Sequence, residues 1–356
     1  MIEAQLPPNW RGLAREHGLD PGAVPPQLCS KVDDVSVPLR LVLFHVGTNT
    51  SLKTTTAMAA AAGLIDLSAV ALHKWMRKMG GFLAAMLAVM TDAAKSFAAE
   101  RWAGYEMLIV DASSVTRPGG EGTTARVHYV VRLTDLEPVE IEVTDDKGGE
   151  TFRRFKQIVR PGQLWIGDRG YANPPGIEAI ASRGADVLVR YNRGSLPLYD
   201  VDGELLDVRA KLTKLRKPFR PREWAAWVHR QSGKRIRGRL CAFRLPPDKA
   251  EEARARLRRE QGAKVTVESL DMAAFVIVFI TAPKDRLSLD RVMELYTLRW
   301  QVELKIKRDK SIAGLDRLPN FREDTIRSWI LAKMLLTQIA HRVTTPRVDI
   351  PPCAAA

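Results

Sequence analysis

Two aspartates in the sequence each follow a short run of apolar residues, as a carboxylate at the end of a buried strand would. Asp111 follows residues 107–110, and Asp168 follows residues 164–167. Side chains at the carboxyl ends of neighbouring strands meet at one edge of a sheet, where the core fixes the backbone and ligands can approach. Two carboxylates held close together raise each other's pKa unless a cation neutralises them. The pair therefore predicts a Mg²⁺ or Mn²⁺ site, although either aspartate alone would favour an ordinary turn.

A third carboxylate lies in a predicted helix near the end of the chain. Tyr296, Arg299, Glu303 and Lys310 fall within one narrow stripe of that helix at about 100° per residue, and Lys307 joins them. Glu303 would complete the metal site, while Arg299 and Lys310 would hold phosphates and Tyr296 would offer its hydroxyl. The alternative is an exposed helix face on which Arg299 pairs with Glu303.

Such a site predicts phosphoryl transfer on a nucleic acid. Two cations about 4 Å apart would activate a water or a 3′-hydroxyl and stabilise the leaving oxygen, so that no protein nucleophile is needed. The chain has 55 Lys and Arg against 41 Asp and Glu, a formal net charge of +14, which favours a polyanionic partner. Charge alone does not separate nucleic acid from an anionic membrane surface.

Several other classes of protein are disfavoured. The longest apolar stretches are shorter than the roughly 20 residues that span a bilayer, and no export signal opens the chain. We therefore expect a cytoplasmic protein with no membrane partner. Cys29, Cys241 and Cys353 are scattered, which argues against a disulfide framework and against a zinc site.

The order of predicted elements between residues 105 and 192 is three strands, a helix, a strand, a helix and a strand. This order favours an α/β fold of the ribonuclease-H-like type, a mixed sheet flanked by helices. The expected divisions are a poorly ordered arm (1–36), a helical domain (37–104), the first part of the catalytic core (105–192), an inserted basic β subdomain (193–285), the C-terminal helices of the core (286–345) and a disordered tail (346–356).

Two regions outside the core are predicted to bind DNA. The helical domain contains two short helices, the second capped by Ser68 and carrying Lys74 and Arg77, which would form a helix-turn-helix or else a helical bundle with a solvated basic face. Between residues 209 and 244 the inserted segment has thirteen Lys or Arg and one acidic residue, so we expect it to contact phosphates. It also contains Trp224 and Trp227.

The spacing Y-x2-R-x3-E-x6-K resembles the signature of the insertion-sequence family 4 transposases. The resemblance covers about residues 105–342, including both aspartates. It implies a ribonuclease-H-like domain with a Mg²⁺-dependent DDE triad of Asp111, Asp168 and Glu303. It also implies a homodimer that binds terminal inverted repeats and target DNA, moves the element by cut-and-paste through a paired-end complex, and acts at the bacterial nucleoid. In some relatives an insertion-domain tryptophan stacks on a flipped base, a role that Trp224 or Trp227 would take unless both are core aromatics.

Three functions are therefore considered. An active transposase is favoured by the three acidic residues and the intact Tyr-Arg-Glu-Lys stripe. A shortened copy that binds element ends and regulates transposition is favoured slightly by the short sequence after Arg342, where relatives often carry further helices for pairing subunits. A metal-dependent nuclease of the same fold would cut DNA without joining a 3′ end to a target.

Overall fold

The fold is described from a computed structural model. The structure describes residues 3–19, 32–92, 104–116, 122–133, 138–230, 233, 235–299, 304, 314 and 323–344. Glu303, Lys307, Lys310 and the predicted tail 346–356 lie outside these residues.

Eight strands form one mixed sheet in the order β3-β2-β1-β4-β5-β8-β7-β6. β1, β4 and β5 run parallel to one another, and the other neighbours are antiparallel. This arrangement confirms the expected α/β class and mixed sheet. The strands are β1 (Glu106–Val115), β2 (Ala125–Arg132), β3 (Pro138–Asp145), β4 (Gln163–Gly167), β5 (Asp186–Arg190), β6 (Arg222–His229), β7 (Arg235–Arg244) and β8 (Phe275–Ile280).

Helices flank the sheet, and polar caps begin several of them. Ser68, for example, accepts a hydrogen bond from the Ala71 N–H at 3.1 Å, as its position in the sequence predicts. The helices are α1 (Trp10–Glu16), α2 (Ser36–Thr48), α3 (Leu52–Ala61), α4 (Ala69–Lys78), α5 (Gly80–Asp92), α6 (Pro174–Ala181), α7 (Val208–Leu212), α8 (Pro247–Gln261), α9 (Val267–Met272), α10 (described over 289–299) and α11 (Glu323–Thr344), with a 3-10 helix at Phe152–Ile158. No helix in the described ranges combines the length and apolar content needed to cross a membrane.

The two faces of the sheet bury separate hydrophobic cores, because successive residues of a strand point to opposite sides. Ile109 and Ile166 face the core formed with α2, α4, α5, α10 and α11. Leu108 and Trp165 face the other core, formed with α6, α7 and the 3-10 helix. Apolar runs in β1 and β4 therefore reflect strands that are covered on both faces.

The structure describes parts of two of the expected divisions. Residues 3–19 of the first one pack against the first core, since the side chains of Trp10 and Ala14 are buried there. The strands of the inserted segment belong to the same sheet as the catalytic core, because β8 pairs with β5. The insertion thus extends the core sheet, while its boundaries at 193 and 285 stay predictions. Cys241 is a buried free thiol in β7.

Candidate active site

Asp111 lies within β1 and not at its end, which corrects the expectation from the sequence. β1 continues to Val115, and Asp111 pairs with Tyr129 of β2. The apolar run stops at Asp111 because the strand on the other side, β4, ends level with Val110. Among the described strands, β1 has only β2 as a neighbour from there on, so polar side chains no longer need to be excluded from it.

Asp168 follows β4 directly, in the position that the sequence predicts. β1 and β4 are parallel, and the last paired residues are Ile109 and Ile166. Asp111 and Asp168 each lie two residues further along, so they are level with one another on strands that run about 4.8 Å apart. Both side chains are half-buried. The fold therefore brings the two aspartates together at one edge of the sheet.

Each carboxylate accepts a hydrogen bond from a backbone N–H one or two residues further along the chain. Asp111 Oδ1 accepts from the Ala112 N–H at 2.9 Å, and Asp168 Oδ1 accepts from the Gly170 N–H at 2.8 Å. Gly167, just before Asp168, is tightly enclosed, since a Cβ there would lie 2.8 Å from both Phe152 Cζ and Tyr171 Cβ. The turn that carries Asp168 is thus fixed against an aromatic cluster under the sheet.

Glu150 is a third carboxylate at this edge, and the sequence did not single it out. It lies in the loop between β3 and the 3-10 helix and packs against Gly170, where an added Cβ would overlap Glu150 Oε2 and lie 3.2 Å from Asp168 Oδ1. Burial, and then the charge of Asp168, raise the pKa of Glu150, while Arg126 acts in the opposite direction. Glu150 is far from both aspartates in sequence and fits no spacing rule, so no local signal identifies it.

Tyr171 supplies a buried hydroxyl in the same part of the fold as the three carboxylates. Its side chain is fully buried, and its hydroxyl has no hydrogen-bond partner among the described residues. Burial raises the pKa of Tyr171 well above its ordinary value, and Glu150, Asp111 and Asp168 add to the effect in that order. The phenol therefore stays protonated, as a hydrogen-bond donor within electrostatic range of all three carboxylates.

α10 packs on the same face of the sheet as Asp111. Its residues Val292 and Leu295 are buried in the core that contains Ile109. Arg239 of β7 anchors the segment before the helix, because its guanidinium donates to the Leu287 carbonyl at 2.8 Å. The helix that contains Tyr296 and Arg299 is thus held against the strands that carry the aspartates.

Tyr296 and Arg299 lie together on α10, and Tyr296 is near the loop that follows Asp168. The Arg299 guanidinium carbon is 5.6 Å from the centroid of the Tyr296 ring. Desolvation, and then the Arg190 charge, lower the pKa of Arg169, and Tyr296 and Asp168 oppose this shift. The phenol is therefore within electrostatic range of the residue next to Asp168. Glu303, Lys307 and Lys310, further along the predicted stripe, lie outside the described residues.

The donor chemistry of this edge suits a hard divalent cation. Within the described part of the chain, no three acidic, histidine or cysteine side chains converge as a complete metal-binding group. Mg²⁺, however, is usually held by one or two carboxylates together with waters and substrate phosphates. Asp111 and Asp168 provide two carboxylates, and the buried Tyr171 hydroxyl, within their electrostatic range, has no acceptor among the described residues.

The two candidate tryptophans face opposite sides of β6. Trp224 packs against the second core, next to Ala226 and Val228. Trp227 points to the other side, where it is directly opposite Arg237 of β7. Trp227 is only half-buried, while Arg237 is exposed.

Further basic and aromatic side chains surround Trp227. His229 is opposite Arg235, and its ring stacks on Tyr199 with centroids 3.6 Å apart. We name Tyr199, Trp227, His229, Arg235 and Arg237 the β6–β7 face. Alternation along β7 places it on the same side of the sheet as Cys241, and hence as Ile109 and Asp111.

The predicted second helix of the helix-turn-helix, α4, is part of a bundle with α11. Arg77 Nε donates to Asp324 Oδ2 at 2.6 Å, and His73 Nε2 is 3.1 Å from Thr325 Oγ1. Lys74 is exposed, and Arg77 is exposed and ion-paired. The helical bundle, one of the two alternatives that the sequence left open, is therefore present. A DNA-binding role for its basic face stays a prediction.

Known proteins with similar sequences are transposases. A family described as the transposase DDE domain matches residues 102–339. The transposase for insertion sequence element IS421 of Escherichia coli is 30% identical over 334 residues, covering 91% of this chain and 89% of that protein. The putative transposase of element IS186A of Escherichia coli K12 is 29% identical over 333 residues, with the same coverage. The transposase for element IS231F of Bacillus thuringiensis subsp. israelensis is 23% identical over 193 residues, covering 50% of this chain and 40% of that protein.

The family match spans well over half of the chain, includes both aspartates and ends within α11. Enzymes of this family generally use divalent metal ions. The paired aspartates at the edge of the sheet lie within the matched region. The chain belongs to the DDE transposases, the enzymes of DNA transposition.

Proposed function

We propose that this chain cuts the ends of an insertion sequence and joins them to target DNA, with Asp111, Asp168 and Glu303 as the catalytic carboxylates. The parallel register of β1 and β4, which makes Asp111 and Asp168 level, is the observation that carries the proposal. Glu303 is assigned from its place in the stripe that begins with Tyr296. α10 supports this assignment because it lies on the face of Asp111.

The three carboxylates would hold Mg²⁺ or Mn²⁺, two ions in the complete site. Such ions supply activation of the attacking hydroxyl and stabilisation of the leaving oxygen in an in-line displacement. The protein's own contribution is to keep the carboxylates in place, through the backbone hydrogen bonds to Asp111 and Asp168 and the aromatic packing under Gly167.

Residues of α10 and of the sequence after it would bind the DNA phosphates around the bond that is cut. Arg299 stands beside Tyr296, whose phenol is near the Asp168 loop. An Arg guanidinium and a Tyr hydroxyl both donate to phosphate oxygens, and the Arg bonds are strengthened by charge. Lys307 and Lys310 would extend the same contacts along the DNA backbone.

The β6–β7 face would bind the DNA that leads to the carboxylates. It lies on their side of the sheet, and it combines the exposed Arg235 and Arg237 with aromatic rings on which bases can stack. Trp227 is the favoured stacking residue, because Trp224 is engaged in the core. Lys74 and Arg77 of α4 would contact DNA from the helical bundle, and for Arg77 this requires release from Asp324.

The wider reaction is proposed from the resemblance and from the relatives. The relatives are named as transposases of insertion sequences. By analogy, this chain would bind the terminal inverted repeats of its element as a homodimer on paired ends, working at the nucleoid in the bacterial cytoplasm. The high positive charge supports association with DNA.

A cleavage assay tests the proposal. The full chain is incubated with DNA that carries its flanking repeats, in Mg²⁺, Mn²⁺ or EDTA, and products are resolved on a denaturing gel. Asp111→Asn should abolish metal-dependent nicks at the repeat tips. Asp145→Asn is a matched control, since Asp145 also accepts one backbone N–H, at 3.1 Å, but lies at the exposed end of β3.

The other functions predict different products in the same assay. Binding to the repeats without any cutting would replace the proposal with a regulatory role. Cutting without joining of the 3′ end to a target would replace it with a nuclease. Cutting by Asp111→Asn at the wild-type rate would remove Asp111 from the site.

A further inference from the structure

Glu150 and Asp168 are neighbours in the folded chain, and Gly170 lies between them. A Cβ on Gly170 would lie 3.2 Å from Asp168 Oδ1 and would overlap Glu150 Oε2. The absence of a side chain at position 170 is thus what allows the two carboxylates to approach. Gly149, in the same loop as Glu150, has open space around its Cβ position, so the close fit is specific to Gly170.

The described residues do not provide a salt-bridge partner for Glu150. Arg126 is near enough to influence it, but the Arg126 guanidinium donates to the Gly148 carbonyl at 3.5 Å. Two carboxylates side by side in a half-buried position repel each other unless a cation lies between them. This arrangement therefore calls for a cation that the described side chains do not supply.

The Tyr171 hydroxyl is a second unusual feature of this part of the fold. It is fully buried, it has no hydrogen-bond partner among the described residues, and Glu150 is the carboxylate that influences it most. Buried hydroxyls are normally hydrogen-bonded, and an unpaired one often marks a functional site or a bound ion or water. A bound cation that reorders Glu150 is one way to satisfy this hydroxyl.

We propose that Glu150 is a fourth carboxylate of the active site, sharing with Asp168 a divalent cation, with the Tyr171 hydroxyl donating to Glu150 when the cation is bound. The inference rests on the proposed cation site at Asp168. Two carboxylates with water and a phosphate oxygen are a usual ligand set for Mg²⁺. Glu150 would hold the cation on Asp168 in place before DNA binds.

The test is direct titration of the full chain with Mn²⁺ alone, followed by electron paramagnetic resonance of the free ion, so that no catalytic readout is needed. Glu150→Gln and Gly170→Ala should each weaken Mn²⁺ binding by about tenfold or more, since losing even a residue that only supports a metal ligand typically costs about 10- to 100-fold in affinity. The matched controls, Asp146→Asn and Gly149→Ala, make the same chemical changes in the Glu150 loop without touching the site. Both controls should bind as the wild type does.

The outcomes separate this inference from the proposed function. If Asp168→Asn loses Mn²⁺ binding while Glu150→Gln and Gly170→Ala bind normally, Glu150 is not a ligand and the proposed function stands. If the wild type binds no Mn²⁺, or Asp168→Asn binds as tightly as the wild type, the cation site itself is wrong and the inference falls with it. Circular dichroism of each variant in EDTA ensures that a loss of binding is not a loss of fold.

Discussion

Removing the hydroxyl of Tyr171 should stabilise the cation-free protein, which is unusual for a change in a core. The hydroxyl is buried without a partner among the described residues, and an unsatisfied buried polar group costs about 1–3 kcal/mol. Tyr171→Phe keeps the ring packed beneath Gly167 and removes that cost. We expect the free energy of unfolding in EDTA to rise by about 1 kcal/mol.

Tyr105→Phe is the matched control, since it makes the same chemical change at a buried tyrosine that does have a partner. The Tyr105 hydroxyl donates to the carboxylate of Asp186 at the start of β5. A hydrogen bond to a charged group contributes about 1.5–3 kcal/mol, so this variant should be destabilised by a similar amount. The two variants should therefore shift stability in opposite directions.

Urea unfolding in EDTA, followed by circular dichroism, measures both effects. In saturating Mn²⁺ the wild type should become more stable than Tyr171→Phe. Cation binding to the folded state stabilises the wild type, and Tyr171→Phe would gain less stability from it. A Tyr171→Phe variant that loses as much stability in EDTA as Tyr105→Phe would show that the hydroxyl is already satisfied. That result would refute the argument from the unpaired hydroxyl.

Other residues give further predictions. Burial lowers the pKa of His128 to about 4, so the unfolded chain takes up a proton first as the pH drops below about 6.5. Stability should therefore fall by up to about 3 kcal/mol between pH 6.5 and pH 4 in urea titrations, and His128→Gln should flatten this dependence. Trp227→Ala should weaken binding of single-stranded DNA about tenfold in fluorescence anisotropy, whereas Trp224→Ala should lower stability; the reverse pattern would exchange their roles. Glu303→Gln should abolish cutting while sparing DNA affinity, and cutting that persists would remove it from the triad. Lys310→Ala should reduce the salt dependence of end binding by about one in slope, and an unchanged slope would exclude a phosphate contact.

The sheet core and the position of Asp168 at the end of its strand could be predicted because their signals are local. Apolar runs bounded by polar residues predict β1 and β4, and Asp168 follows its strand as expected. Asp111 shows the limit of this reasoning, since its strand continues to Val115. An apolar run ends where burial on both faces ends, and this need not be where backbone pairing ends.

The remaining features depend on contacts between distant segments. Glu150 meets Asp168 only because the loop before the 3-10 helix folds over Gly170. Trp224 and Trp227 are three residues apart in a strand, so the two-residue period predicts that they face opposite sides. The pairing of β6 with β7 and of β8 with β5 determines which tryptophan packs against the second core. The sequence pattern did not reveal this pairing.

The most direct test of the proposed cation site is a metal-rescue experiment on its two aspartates. Asp111→Cys and Asp168→Cys replace an oxygen ligand with sulfur, which hard Mg²⁺ accepts poorly and softer Mn²⁺ accepts better. We predict that both variants fail to nick the element ends in Mg²⁺ and recover cutting in Mn²⁺, whereas Asp111→Asn fails in both. Cutting by the cysteine variants in Mg²⁺ at the wild-type rate, or cutting by the wild type in EDTA, would contradict a cation held by Asp111 and Asp168.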